Sequence, residues 1–317
     1  MAAWPEAKEA FLDHLKPLQF WSETGLPVSV WHFHPLQFIR HFRRCGWLTK
    51  EELLQLLPSN AMRKSKDSWV SEKIAGAAAE ATIKRNLTEL NKACRKFGIT
   101  TPLRLAAFYA NSTQETQWFQ KLHENNSTAK YAPWDGRGFL QLTWPDAYIK
   151  YWRFRGRSVP KTVADALNKA AKKANEDGKN ETLEDGKITG LTQEMIGWRA
   201  NVGDEPLDAA HSAGAYWMWT EAARFADKTP SNERKTQPIG KTSHTYYRCE
   251  SFGQVAATVN FGSPRSNTTD IDKVNGIVAR FQSYSNALVV LTDTPRFPDK
   301  DGSDQVLPED FEPRRTT

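Results

Sequence analysis

The sequence predicts a mainly α-helical fold that carries one small β-hairpin, and three observations lead there. Apolar residues recur at steps of three and four along most of the chain, and glycine, proline or a capping residue closes each such run. One stretch, Phe139 to Thr143, alternates with the two-residue period of a strand instead. At 317 residues, 39% of them hydrophobic and 11% aromatic, the chain has enough apolar material for a large core.

Residues 1–60 read as an N-terminal helical module, in which Pro17, Pro27 and Pro35 separate short amphipathic pieces. Leu36, Ile39 and Phe42 then recur at helical spacing until Gly46, and Thr49 with Glu52 forms a capping box for a helix that Pro58 ends. Two helices around a glycine turn, beside Arg40, Arg43 and Arg44, fit a DNA-reading helix-turn-helix or, more commonly, a packing module with a solvated basic face. Residues 61–292 form the main domain. It opens on a long helix from about Asp67 to Phe97, striped by Ile83, Leu87, Leu90, Cys94 and Phe97 and stopped by Gly98. Thr101 and Pro102 start the next helix, where Leu105, Phe108, Ser112, Glu115, Phe119 and Leu122 follow one stripe, so that Glu115 points inward.

From Asn125 to Thr143 an Asn-Asn pair, a Pro-Trp-Asp-Gly turn and the alternating residues make the irregular hairpin. Residues 161–190 are the least hydrophobic and read as a charged, solvated excursion, in which "NEDGKNETLED" lacks the alternate-position ligands of a calcium loop. Helices resume in "LDAAHSAGAYWMWTEAARFAD", whose small residues permit close packing, and in "SFGQVAATVNFG", which runs into Gly262. A last helix over Thr269–Leu288 stripes Ile271, Val274, Val278, Phe281 and Leu288, and residues 293–317, rich in Pro, Asp and Arg, read as a flexible tail.

Composition narrows the function classes. No apolar run reaches 18 residues, and "MAAWPEAKEAFLDHL" has neither a basic leader nor an apolar signal segment, so any export is expected to use another route. Cys45, Cys94 and Cys249 are far apart and lack C-x-x-C spacing, so they read as buried hydrophobes rather than a disulfide framework or zinc site. His32 and His34 flank Phe33 without a third ligand, and "HENNS" lacks the second histidine of a zinc helix. A net charge of +6 favours a polyanion: nucleic acid, an anionic membrane surface or acidic wall polymers.

The chemistry concentrates in "STQETQWFQKLHENNS". A carboxylate on a buried stripe costs several kcal/mol to keep charged, which raises its pKa and suits Glu115 to general-acid work, although a structural carboxyl satisfied by an arginine has the same signature. In a continuous helix, at about 100° per residue, Glu124 would lie half a turn away from Glu115. Asn125 and Asn126 continue a helix poorly, so the chain is expected to fold back and set Glu124, on a wetter loop, across a groove from Glu115. One dry, protonated carboxyl facing one wet, ionised carboxylate is the pair that hydrolyses glycosidic bonds.

"AAFYANSTQET", "DGRGFLQLTWPDAY", "VNFG" and "VARFQSY", in that order over about residues 100 to 290, resemble the blocks of the family 19 glycoside hydrolases of the lysozyme-like superfamily. The gap between the glutamates is similar to that of the endolysin branch, with Gln114 where the family usually has His and Phe261 in place of a Gly. "VWHFHPLQFIRHFRRCGWLTKEEL" and "LTQEMIGWRANVGDEP" resemble cell-wall-degrading effectors of type VI secretion systems. The resemblance implies an α+β lysozyme-like catalytic domain with Glu115 as general acid and Glu124 as general base. It further implies that Gln141, Thr143 and Asn260 line the groove, and that Tyr131 and Arg137, in or beside the glycine turn, support it or bind substrate. Each has a structural reading as well: Gln141 as a hairpin hydrogen-bonder, Asn260 as a helix-end residue, Arg137 as a buried partner of a carboxylate. Trp118, Trp134 and Trp144 fit either sugar stacking or the core.

The expected activity is therefore inverting hydrolysis of the β-1,4 glycan of bacterial peptidoglycan, with no cofactor and no metal. The protein would act in the wall of a target bacterium as an antibacterial effector or endolysin, with a cognate immunity protein as a further partner and with neither nucleic acid nor membrane. A chitinase, a lytic transglycosylase and a non-catalytic glycan- or nucleic-acid-binding module stand as alternatives.

Overall fold

The computed structural model describes residues 4–16, 46–66 and 68–311, and the chain divides into two compact units, Met1–His41 and Phe42–Thr317. In the first unit, helix α1 spans Trp4–Leu15. The helix expected over residues 36–42, the arginines of its basic face, His32, His34 and Cys45 lie outside the described residues. The second unit is mainly helical, as the periodicities predict, and its β-structure is confined to small two-stranded sheets that lie elsewhere than the stretch whose alternation suggested one.

Helix α2 (Lys50–Gln55) starts on the expected capping box: Thr49 Oγ1 accepts from the Glu52 amide at 3.1 Å, and Glu52 Oε2 accepts from the Thr49 amide at 2.8 Å. Its Leu53 and Leu54 enter the same core as the helices that follow. The long helix expected from Asp67 is shorter, α3 (Gly76–Lys96), because a hairpin of β1 (Asn60–Ser65) and β2 (Ser68–Lys73) precedes it, with Met62 opposite Ser71. The stripe that predicted helix begins only at Ile83; upstream, Trp69 and Val70 favour extended backbone.

Helix α4 (Pro102–Glu115) is capped by Thr101 and buries every residue from Leu105 to Thr113. It stops earlier than its stripe suggests. Gln117, Trp118 and Phe119 take left-handed φ values of 49°, 66° and 60°, so Phe119 reaches the core from a tight turn rather than a helix face. Thr116 stitches that turn, its hydroxyl donating to Ser112 O at 2.6 Å and accepting from the Phe119 amide at 2.9 Å.

Helices α5 (Pro145–Phe154), α6 (Lys161–Asp177), α7 (Gln193–Asp204) and α8 (Pro206–Trp219) follow. Segment 161–190 is no solvated excursion: Val163, Ala164 and Leu167 of α6, with Leu183 and Ile188 beyond it, are buried in a second core with Trp134, Tyr148 and Trp152. The charged residues of α6 occupy its other face, and their number conceals the stripe in an averaged composition.

Helix α9 (Ala223–Ala226) leads to a second hairpin, β3 (Asn232–Ile239) with β4 (Thr242–Cys249), which no apolar alternation announces. Helix α10 (Glu250–Phe261) ends at Gly262 as expected. The single helix expected over Thr269–Leu288 is broken into α11 (Thr268–Ile271) and α12 (Ile277–Leu291) at Gly276, which has φ 65° and leaves no room for a side chain, since a Cβ would lie 2.6 Å from Gln114 Nε2.

The segment after Asp293, expected to be flexible, is docked as far as it is described. Strands β5 (Phe297–Pro298) and β6 (Asp304–Gln305) pair, Phe297 is buried against the Tyr247 ring, and Arg234 grips Glu309 with two bonds of 2.6 Å. Cys94 and Cys249 are buried free thiols, and burial pushes Cys94 up to about 12. Among the described residues no helix is long and apolar enough to cross a membrane.

Candidate active site

Glu115 occupies the last position of α4, where the backbone leaves helical geometry and frees the side chain to face outward. It is not surrounded only by apolar groups, as its stripe suggested. Arg280 Nη2 donates to its Oε1 at 2.6 Å, and that guanidinium is 2% exposed against 19% for the carboxylate. Two further bonds immobilise the arginine, from Nη1 to Asn111 Oδ1 at 2.8 Å and from Nε to Asn275 O at 3.0 Å. Burying a guanidinium is tolerated because its donors are satisfied in this way. Oε2 of Glu115 has no hydrogen bond among the described residues.

Glu124 lies on the loop beyond, held by donors of another kind. The Tyr131 hydroxyl donates to its Oε1 at 3.0 Å, Asn126 Nδ2 to Oε1 at 3.2 Å, and the Gly136 amide to Oε2 at 3.1 Å. Burial, together with the adjoining Glu124 carboxylate, pushes the Tyr131 hydroxyl up to about 12, which keeps it a proton donor. The loop is the expected irregular hairpin, reduced to isolated bridges of Arg137 with His123 and with Leu142. Gly136 can be nothing larger without a shift, since a Cβ would lie 2.6 Å from Gln141 Oε1. Gln141, at φ 48°, donates from Nε2 to Gly138 O at 2.9 Å, and the Thr143 hydroxyl donates to Gln141 O at 2.7 Å.

Six of the seven residues singled out from the sequence, Glu115, Glu124, Tyr131, Gln141, Thr143 and Asn260, line one groove of about 820 Å³. Arg137 does not. It is buried behind the loop, where Nη2 meets Asp135 Oδ1 at 3.0 Å, while Asp135 Oδ2 stands 2.9 Å from His123 Nε2. That network fixes the backbone carrying Gly136, so Arg137 takes the structural role.

The structure adds Arg280, Tyr216 and Trp219 to the groove and decides among the three tryptophans weighed from the sequence. Arg280 sits inside the quoted "VARFQSY" block; a lone arginine in an apolar stripe was the available signal that a buried carboxylate faced it. Trp144 lines the groove with φ 70° and ψ 145°, a conformation nearly reserved for glycine, and its ring meets Tyr131 edge-on at 5.5 Å. Tyr216 and Trp219 contribute aromatic wall, with Lys150 over the Trp219 ring at 4.5 Å. Trp134 belongs to the core and Trp118 lines a neighbouring depression. Among the described residues no three His, Cys, Asp or Glu side chains converge as metal ligands.

Chemically, the groove offers two carboxyl groups with unlike partners. Glu124 accepts from a hydroxyl, a side-chain amide and a backbone amide, and a fixed cation stands beside Glu115. No protein-family model, curated protein or solved structure matches this chain.

Proposed function

We propose that the protein is a glycoside hydrolase that cleaves the β-1,4 glycan of bacterial peptidoglycan by inversion. The observation that carries this reading is the convergence of Glu115, Glu124, Tyr131, Gln141, Thr143 and Asn260, from four separate stretches of sequence, on one groove with aromatic walls. The motif resemblance to family 19 glycoside hydrolases supports it.

In this reading Glu115 protonates the oxygen of the departing sugar, and the carboxylate left behind is taken up by Arg280. Glu124 removes a proton from water, which attacks the anomeric carbon from the opposite face. Tyr131, Asn126 and the Gly136 amide hold Glu124 in one orientation for that step. Trp144, Tyr216 and Trp219 offer faces for sugar rings.

The test is digestion of purified peptidoglycan and of chitin, with products identified by mass spectrometry and fresh digests followed by NMR. Reducing-end muropeptides of inverted configuration are the expected result. Anhydro-muropeptides would assign a lytic transglycosylase, products from chitin alone a chitinase, and no product from either a binding module.

A further inference from the structure

The groove does not end beyond Glu115. Gln114, Gln117 and Asn275 also line a second depression of about 930 Å³, so the two are continuous. Its walls come from the β1–β2 hairpin, the β3–β4 hairpin, the start of α12 and, on the side shared with the groove, the end of α4 and the turn through Gln117, Trp118 and Gln120.

The sign of charge changes along this path. The half with the glutamates also carries Asp146, against Lys150 and Arg280. The second half carries Arg63, Lys64, Lys235 and Arg248 against only Glu72 and Asp272. Arg63 reaches Glu72 at 3.1 Å and Arg248 reaches Asp272 at 3.4 Å, which leaves the two lysines as the excess. Lys64 has no anionic partner among the described residues, and Lys235 meets only Glu233 in a solvent-exposed pair of the kind worth little. Trp69 and Tyr246 lie half-buried in the same depression.

A polymer threading both halves must therefore be an uncharged chain where it meets the glutamates and carry anionic substituents farther along. A phosphate backbone, charged at every step, would be repelled by the first half. From this we infer that the second depression binds the carboxylate-bearing peptide stems of the wall glycan, so that peptide-substituted strands are preferred over bare β-1,4 amino-sugar chains. The inference rests on the hydrolase reading and adds to it a substrate-selecting site remote from the acid and base.

The test compares wild type with the double variants Lys64→Glu/Lys235→Glu and Lys64→Arg/Lys235→Arg, on solubilised glycan strands with intact stems and on strands stripped of them by an amidase. Charge reversal is expected to raise KM about tenfold on intact strands, with kcat unchanged and stripped strands unaffected, while the arginine pair behaves as wild type. An equal change on both substrates, or none on either, overturns the inference. Co-sedimentation of the Glu115→Gln protein with intact and stripped sacculi reads the same preference without turnover. Should wild type cleave neither polymer, the hydrolase reading fails, and equal retention on both sacculi would show that the stem site fails with it.

Discussion

Glu115 and Glu124 are held by different partners, and isosteric replacement separates chemistry from support. Glu115→Gln and Glu124→Gln keep shape and most hydrogen bonds but remove the transferable proton and the base. Each is expected to lower hydrolysis by on the order of 10² or more in the folded protein. The melting temperature should stay nearly unchanged for Glu124→Gln, whereas Glu115→Gln leaves the buried Arg280 without its countercharge and is expected to cost about 3 kcal/mol. Strong residual cleavage in the Glu124 variant would indicate a transglycosylase. Gly136 tests the positioning of Glu124 without touching a carboxylate. A Cβ there meets Gln141 Oε1 at 2.6 Å, so Gly136→Ala must displace a groove side chain and is expected to reduce kcat and to lower stability modestly, by about 1 kcal/mol. Adding Gln141→Ala relieves the clash, and stability but not activity should return. His211 is a different matter, buried among Phe97, Phe154 and Tyr151 rings and lowered to about 4 by burial, with Lys96 and Arg155 pushing the same way and Asp208 opposing. Its folded form prefers to stay neutral, so between the ordinary value of 6.5 and about 4 the unfolded chain binds the extra proton. Stability due to this group is full above pH 6.5 and declines as pH falls through that window, by of the order of 1–3 kcal/mol. Urea denaturation from pH 7 to 4 should show a flatter profile for His211→Phe than for wild type.

At the level of elements, the hairpin between Asn125 and Thr143 is held by a buried ion pair more than by its ladder. Asp135→Asn leaves the Arg137 guanidinium buried without its countercharge and removes the acceptor facing His123. The expected cost is about 3 kcal/mol in chemical denaturation, with activity lost in the folded fraction because Gly136 no longer aligns on Glu124. Legibility in the sequence followed side-chain chemistry. Helix α4 and its capping were readable from Thr101, Pro102 and a regular stripe, whereas its stop was readable only as a requirement that Glu124 be brought back. The β1–β2 and β3–β4 hairpins escaped notice because strands such as "NERKTQPI" carry almost no apolar alternation; cross-strand pairing and packing on α12 hold them. Of the six groove residues, Glu115, Gln141, Thr143 and Asn260 were readable because they stand in the motif blocks, Glu124 because the helix had to end before it, and Tyr131 only from its place beside the glycine turn. For Arg137 the sequence left groove and structural roles open, because adjacency to a glycine turn says nothing about which side of the loop a long side chain takes, and Arg280 was passed over because helical periodicity treats a buried charge as a gap.

Over the whole molecule, the segment from Phe297 to Asp310 is part of the fold. Phe297 is fully buried, and Arg234–Glu309 closes the end over β4, where Asp310 accepts from the Thr245 amide at 3.0 Å. Phe297→Ala is expected to cost about 3–5 kcal/mol, and removal of residues 293–317 to lower the melting temperature by a comparable or larger amount, both measurable by calorimetry. A freely hanging end would leave both unchanged. The two apolar cores have a further consequence. Glu115 and Arg280 project from helices of the first core, whereas Tyr131, which orients Glu124, leans on Trp144, a residue packed against the second. Phe97 and Tyr216 touch both cores and are the mortar between them. The spacing of acid and base is thus a gauge of how two blocks are seated, not a property of either block. A methylene lost at Leu167, deep in the second core and absent from the groove wall, would register as a change in catalytic tempo before it registered as unfolding.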